Sequence, residues 1–295
     1  MKNEGLAPSG ATPMMAPGTT PWHHPRPLVK RRIEPRKNRS EESPTYVRLV
    51  PMSFEDQSAF DIRFEWGLPG LLATGSESVV TIVDVLCFTT CVSIACARGA
   101  TVYPCAWDEG IAVQLAEREQ ARVAVKRGRE NADRGEYSLS PASFLSADFS
   151  VRVVLPSPNG SALAHAAQGG GRKIVAGCLR NAGAVARWLA AQRTPITIIA
   201  AGERWPDGTI RFAVEDLIGA GAIVSQVAGT RSPEAIAAMA AFERCRPTLA
   251  TVLGSCSSGR ELVERGYAID VALACELDSD DVVPLLTRRA FHAGG

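Results

Sequence analysis

From residue 79 onward, short apolar runs alternate with stretches of helical period, and that alternation leaves few architectures open. Runs of strand length lie at 79–83, 100–103, 122–125, 151–155, 173–176, 196–200 and 269–274. They are continuous rather than alternating, as in strands covered on both faces. Helices are expected over 89–98, 109–120, 161–168, 182–191, 213–227, 233–244 and 257–265. The last but one carries its own start signal: Ser232 as N-cap, Pro233 at the first helical position and Glu234 in the first turn. Such an order predicts an α/β layered fold.

Residues 1–45 differ in kind. They mix Pro, Gly and Ser with clustered Lys and Arg and have almost no periodic apolar residues. Such a segment cannot bury enough surface to offset chain entropy, so a disordered, basic, Pro-rich extension is expected there. No linker-like break follows, and residues 46–295 are expected to form one domain. The net charge of +1 gives no global reason to expect nucleic acid or an anionic membrane as partner. Residues 79–97 approach the length of a membrane span, but Asp84 interrupts them, which favours a strand followed by a helix. None of the eight cysteines forms a CxxC pair, and the tail has no apolar leader core; a reduced, cytoplasmic protein is expected.

In layered α/β folds, ligands collect beyond the carboxyl ends of the strands. Asp84 stands at such an end, as do the segments 156–161 (PSPNGS), 177–182 (GCLRNA) and, after a longer loop, 214–222 (VEDLIGAGA). If the strands are parallel, these polar groups share one rim. Asp84 reads either as a helix N-cap, a task Thr89 or Thr90 would do as readily, or as a functional carboxylate. Glu215 and Asp216 read as one exposed and one capping acid, or as oxygen ligands which, with Asp84, suit a hard cation such as Mg²⁺. Arg260 follows a Gly/Ser-rich turn and is placed to meet an anion at a helix start. Lys126, Arg127, Arg129 and Arg134 lie on a polar, Gly-broken loop that reads as a solvated loop or a cationic cover. Cys87 lacks a nearby His, and an adjacent carboxylate raises a thiol pKa, which argues against a nucleophile.

Taken together, VDVLCFTT, PNGS, GCLRNA, AAGERWPDGTIRFAVEDLIGAGAI and GRELVERGYAIDVALACELDSDDVVP resemble, in this order, motifs of the 2-phosphosulfolactate phosphatase family of coenzyme M biosynthesis. The resemblance covers residues 79–291. It implies a three-layer α/β/α fold with a largely parallel or mixed sheet. It also implies Mg²⁺-dependent hydrolysis of a phosphate monoester on a small anionic acid, giving sulfolactate and phosphate in the family's own reaction. Carried over residue by residue, it places Asp84, Arg127, Asn159 and Asn181 in catalysis. Cys87, Thr89, Thr90, Lys126, Gly128, Gly160, Ser161 and Arg260 fall in substrate binding, and Asp84, Glu215 and Asp216 at the metal. The partner implied is a small phosphorylated anion, with self-association left open.

The chain departs from the family pattern at Cys87, where the family has Arg, at Lys126 in place of Glu, and at Ser140 in place of Asn. A Cys cannot clasp an oxyanion bidentately as Arg does. Either another cation, such as Lys126 or Arg129, compensates, or the substrate has changed, or the chain is a catalytically silent binder of an anionic metabolite.

Overall fold

The apolar runs that fold as strands at 79–83, 101–103, 174–176 and 196–200 have every side chain covered, as the continuous pattern requires, whereas 122–123 is partly open to solvent. The computed structural model describes residues 56–75, 78–128, 136–168 and 171–294. The expected extension over residues 1–45, and Arg129 and Arg134 of the basic loop, lie outside the described residues. The strands are β1 (Ile62–Trp66), β2 (Val79–Val83), β3 (Thr101–Cys105), β4 (Arg122–Val123), β5 (Arg152–Pro156), β6 (Ile174–Gly177), β7 (Ile196–Ala200), β8 (Glu203–Arg204), β9 (Ile210–Arg211), β10 (Val283–Thr287) and β11 (Ala290–Gly294). Between them run helices α1 (Gly67–Ala73), α2 (Phe88–Ala97), α3 (Glu109–Glu119), α4 (Gly160–Ala167), α5 (Ala182–Ala190), α6 (Val214–Val224), α7 (Pro233–Cys245), α8 (Leu249–Ser255), α9 (Ser257–Glu264) and α10 (Ala268–Ala274).

The α/β class is as expected, and the sheet is mixed. Nine strands follow the order β1-β7-β2-β6-β10-β11-β3-β5-β4, with β8 and β9 paired separately. β1, β7, β2 and β6 run parallel, and β3, β5 and β4 form a second parallel group. The C-terminal hairpin lies between them, with β10 antiparallel to β6 and β11 antiparallel to β3. The second group therefore runs against the first, so the expected shared rim does not follow from strand direction alone.

Local chemistry places the helices. Asp108 caps α3 by accepting from the Ile111 amide at 2.8 Å, and Ser232 caps α7 from Ala235 at 3.1 Å. α2 is buried from Phe88 to Cys96, inside a core that holds Ile82, Ile94, Leu155, Ile198 and Phe291. Residues 79–97 thus form a strand and a helix, and among the described residues no helix is long and apolar enough to cross a membrane.

One expected strand is a helix. Residues 269–274 lie in α10, where Asp270, Val271, Leu273 and Ala274 are buried while Ile269 is exposed, a helical spacing that the run of apolar letters conceals.

Candidate active site

Asp84 follows the last residue of β2, and the turn beyond it is closed on itself. Thr89 Oγ1 accepts from the Asp84 amide at 2.9 Å and donates to the Asp84 carbonyl at 2.8 Å, and Thr90 Oγ1 donates to the Val85 carbonyl at 2.7 Å. Both threonines are fully buried, so their hydroxyls fix the turn instead of facing a ligand. The Asp84 carboxylate accepts from the amides of Phe88 (3.2 Å) and Gly160 (2.8 Å).

That second bond brings in the segment after β5. α4 lies against both β2 and β3, and its first residue, Gly160, seats directly on Asp84. A Cβ at Gly160 would stand 2.6 Å from Asp84 Oδ2 and 2.7 Å from Phe88 Cδ1, so this approach requires glycine. Asn159, just before it, donates from Nδ2 to Glu203 Oε2 at 2.9 Å. Ser161 turns to β3, accepting from the Cys105 amide and donating to the Cys105 carbonyl at 2.7 Å.

The acids at the start of α6 divide their work. Asp216 accepts from the amides of Val85 (2.8 Å) and Gly202 (2.9 Å), stapling the ends of β2 and β7 to the helix. Glu215 is buried beside it. Glu203, which sequence reasoning did not single out, completes the group on β8. Burial first, then the Asp84 charge, pushes Glu203 up to about 7. Burial likewise raises Asp84 to about 6, with the Glu215 charge adding to it and the two amides and Arg127 opposing. Asp216 is also raised, by burial and then by Asp84 and Glu215. Carboxylates that burial and mutual repulsion hold above their ordinary range gain from a nearby cation.

Arg127 supplies one. Its Nη2 donates to Cys87 Sγ at 3.3 Å and to the Leu139 carbonyl. Its Nε lies 3.6 Å from Asp270 Oδ2, and the guanidinium sits 4.9 Å from the centre of the Tyr267 ring. A guanidinium therefore stands against Cys87, although the chain supplies it from the loop after β4. Asp270, fully buried and bonded to Ser140 Oγ at 2.6 Å, was also missed from sequence because its run reads as a strand. Burial above all raises the Cys87 thiol, so it stays neutral.

Other expected site residues stand apart from the acids. Asn181 is fully buried and ties its own loop, accepting from the Cys178 amide at 2.9 Å and donating to the carbonyls of Ala176 and Val282. Lys126 pairs with Glu109 at 3.1 Å on the surface. Arg260 is exposed, and its side chain meets no described partner, whereas Arg211 opposes the raised pKa of Glu203 and bonds Ser258 at 3.1 Å. Gly128, in the left-handed region at φ 81°, leaves its Cα face to the Tyr267 hydroxyl. A cleft of about 1290 Å³ opens beside Arg127, reaching Lys126, Pro156 and Tyr267.

The donor set suits a hard cation, since Asp84, Glu203 and Glu215 offer carboxylate oxygens in one neighbourhood. Among the described residues no three His, Cys, Asp or Glu side chains form a ready-made cage. Mg²⁺ needs none, because it takes one or two carboxylates and completes its shell with substrate and water oxygens.

Comparison with known sequences matches residues 70–289 to the pattern of 2-phosphosulpholactate phosphatase. A protein of Gloeobacter violaceus, named "Probable 2-phosphosulfolactate phosphatase", is 29% identical over 235 residues, covering 77% of this chain and 96% of the relative. A protein of Symbiobacterium thermophilum with the same name is 31% identical over 219 residues, covering 71% and 91%. A third, from Carboxydothermus hydrogenoformans, is 28% identical over 220 residues, covering 73% and 89%.

Proposed function

We propose a reaction for this chain from the premise that it belongs to the 2-phosphosulpholactate phosphatase family and is thus a phosphoric monoester hydrolase. The substrate is the phosphate ester of a small acid bearing a second strong anion, 2-phosphosulfolactate or a close analogue, and the cofactor is Mg²⁺. Water attacks phosphorus, the ester P–O bond breaks, and the products are the free hydroxy acid and inorganic phosphate. The observation that carries this reading is the gathering of the buried acids Asp84 and Glu215 and the half-buried Glu203 with the Arg127 guanidinium, on motifs drawn from distant parts of the chain.

Asp84 and Glu215 would hold the ion, which when bound neutralises charge on the phosphoryl oxygens. Arg127, gripped by Asp270 and Tyr267, binds the anion from the other side, a charge-assisted contact of the kind that recognises oxyanions. Glu203, the more basic of the two acids raised to about 6 and about 7, takes the proton from the attacking water. Asn159 fixes the Glu203 carboxylate for that task. A backbone N–H from Gly160 holds Asp84 in place. Asn181 and Asp216 act by building the loops that carry these groups.

The test measures phosphate released from phosphosulfolactate, and from phosphate esters lacking the second anion, with Mg²⁺ and with EDTA. Release that needs Mg²⁺ and favours the doubly anionic ester is expected. Release unaffected by EDTA removes the metal from the scheme, and equal turnover of the simple esters removes the substrate assignment.

A further inference from the structure

At the other end of β6 from Gly177, where the β10–β11 turn comes down beside the start of that strand, three arginines line a second cleft. It has a volume of about 390 Å³ and is walled by Arg172, Arg288 and Arg289 with Gln168, Ile174 and Leu286. None of the three arginines pairs with a carboxylate of the described residues. We infer that this cleft binds a small, multiply charged phosphate-bearing anion, at a site separate from the one beside Asp84.

Arg172 is the fixed member. Its two terminal nitrogens donate to the carbonyls of Leu71 (3.3 Å) and Thr74 (2.9 Å), which pins the guanidinium plane. Its Nε is buried with no acceptor among the described residues, an unmade bond that a native structure seldom tolerates without a ligand or water. Burial also draws the Arg172 pKa below its ordinary value, a cost that a bound anion relieves.

Arg288 and Arg289 stand exposed at the edge of the cleft. They form the whole two-residue connection between β10 and β11, with φ of 49° and 73°. Such a turn places both residues in the left-handed region, where Asn-Gly is the low-strain choice and two long side chains are not. The local potential is positive: after burial, Arg152 and Arg288 hold neighbouring His292 below its ordinary pKa. Three arginines around a cleft of small-molecule size match a compact oxyanion of two or more charges better than a singly charged one.

Inorganic pyrophosphate is the probe, titrated calorimetrically into the full chain in EDTA at constant ionic strength set with NaCl. The comparison protein carries Arg288→Asn with Arg289→Gly, a pair suited to the turn, so its melting temperature without ligand should equal or exceed that of the parent. Expected is saturable binding that the double variant weakens at least tenfold, with phosphatase activity in the absence of probe unchanged. Identical isotherms in the two proteins overturn the inference, as does binding that NaCl alone abolishes. A parent isotherm with a single site that the variant removes upholds the cleft and counts against anion binding beside Arg127. A single site that survives does the reverse.

Discussion

Cys87 and Arg127 share one corner of the site, and their contact determines which of them handles charge. The thiol is buried and held neutral, while the guanidinium is set from three sides by Cys87 Sγ, Asp270 and the Tyr267 ring. An Arg introduced at position 87 would meet Arg127 rather than an empty wall, and two adjacent guanidiniums repel. Substitution of Arg127 should therefore matter far more than truncation of Cys87. Arg127→Ala is expected to lower kcat/KM at least 100-fold, on the order of 3 kcal/mol of transition-state stabilisation. Cys87→Ala should lower it less than tenfold. Steady-state kinetics of the two variants on one phosphate ester checks this; comparable losses would mean that the thiol, not the guanidinium, sets the site.

Among the elements, α4 is placed by a single missing side chain. Gly160 has no unusual φ, so it is the 2.6–2.8 Å space against Asp84 and Phe88 that demands glycine. Gly160→Ala should push α4 away from the end of β2, lengthening the 2.8 Å bond to Asp84. Overpacking of this kind costs about 1–3 kcal/mol, or roughly 2–12 °C in melting temperature for a domain of this size. Calorimetry and turnover of the variant test it: loss of stability without loss of turnover would show that α4 positions nothing catalytic. The sequence is informative about such elements where the signal is local. The Ser232 cap and the acids beside apolar strand ends needed no partner to be recognised. Polar residue type alone could not say whether a side chain faces a ligand or its own backbone, and Thr89, Thr90, Ser161 and Asn181 turned out to do the latter. Glu203 and Asp270 were hidden because their roles come from groups far along the chain: burial and then the Asp84 charge raise the Glu203 carboxyl, and Asp270 meets Ser140 across 130 positions. The 269–274 run carries no alternation, so only its burial pattern separates helix from strand.

Across the whole molecule, the last residues join what would otherwise be two separate parallel groups. β10 and β11 stand between β6 and β3, so neither β1-β7-β2-β6 nor β3-β5-β4 pairs directly with the other. A C-terminal hairpin at the centre of a sheet couples both groups to one folding event, because each would expose an unpaired edge without it. Phe291 ties the hairpin to the second group and to α2: it lies fully buried on β11, opposite Val102 of β3, with its ring 6.1 Å from that of Phe88 at the start of α2. Phe291→Ala should cost about 3–5 kcal/mol through lost burial and the cavity left behind. If the hairpin couples the groups, that cost moves a single thermal transition downward as a unit, by roughly 6–20 °C. Differential scanning calorimetry with matched van't Hoff and calorimetric enthalpies measures both the shift and its cooperativity. A variant that melts in two steps, one of them unmoved, would mean that the parallel groups are stable apart and that the hairpin merely caps them.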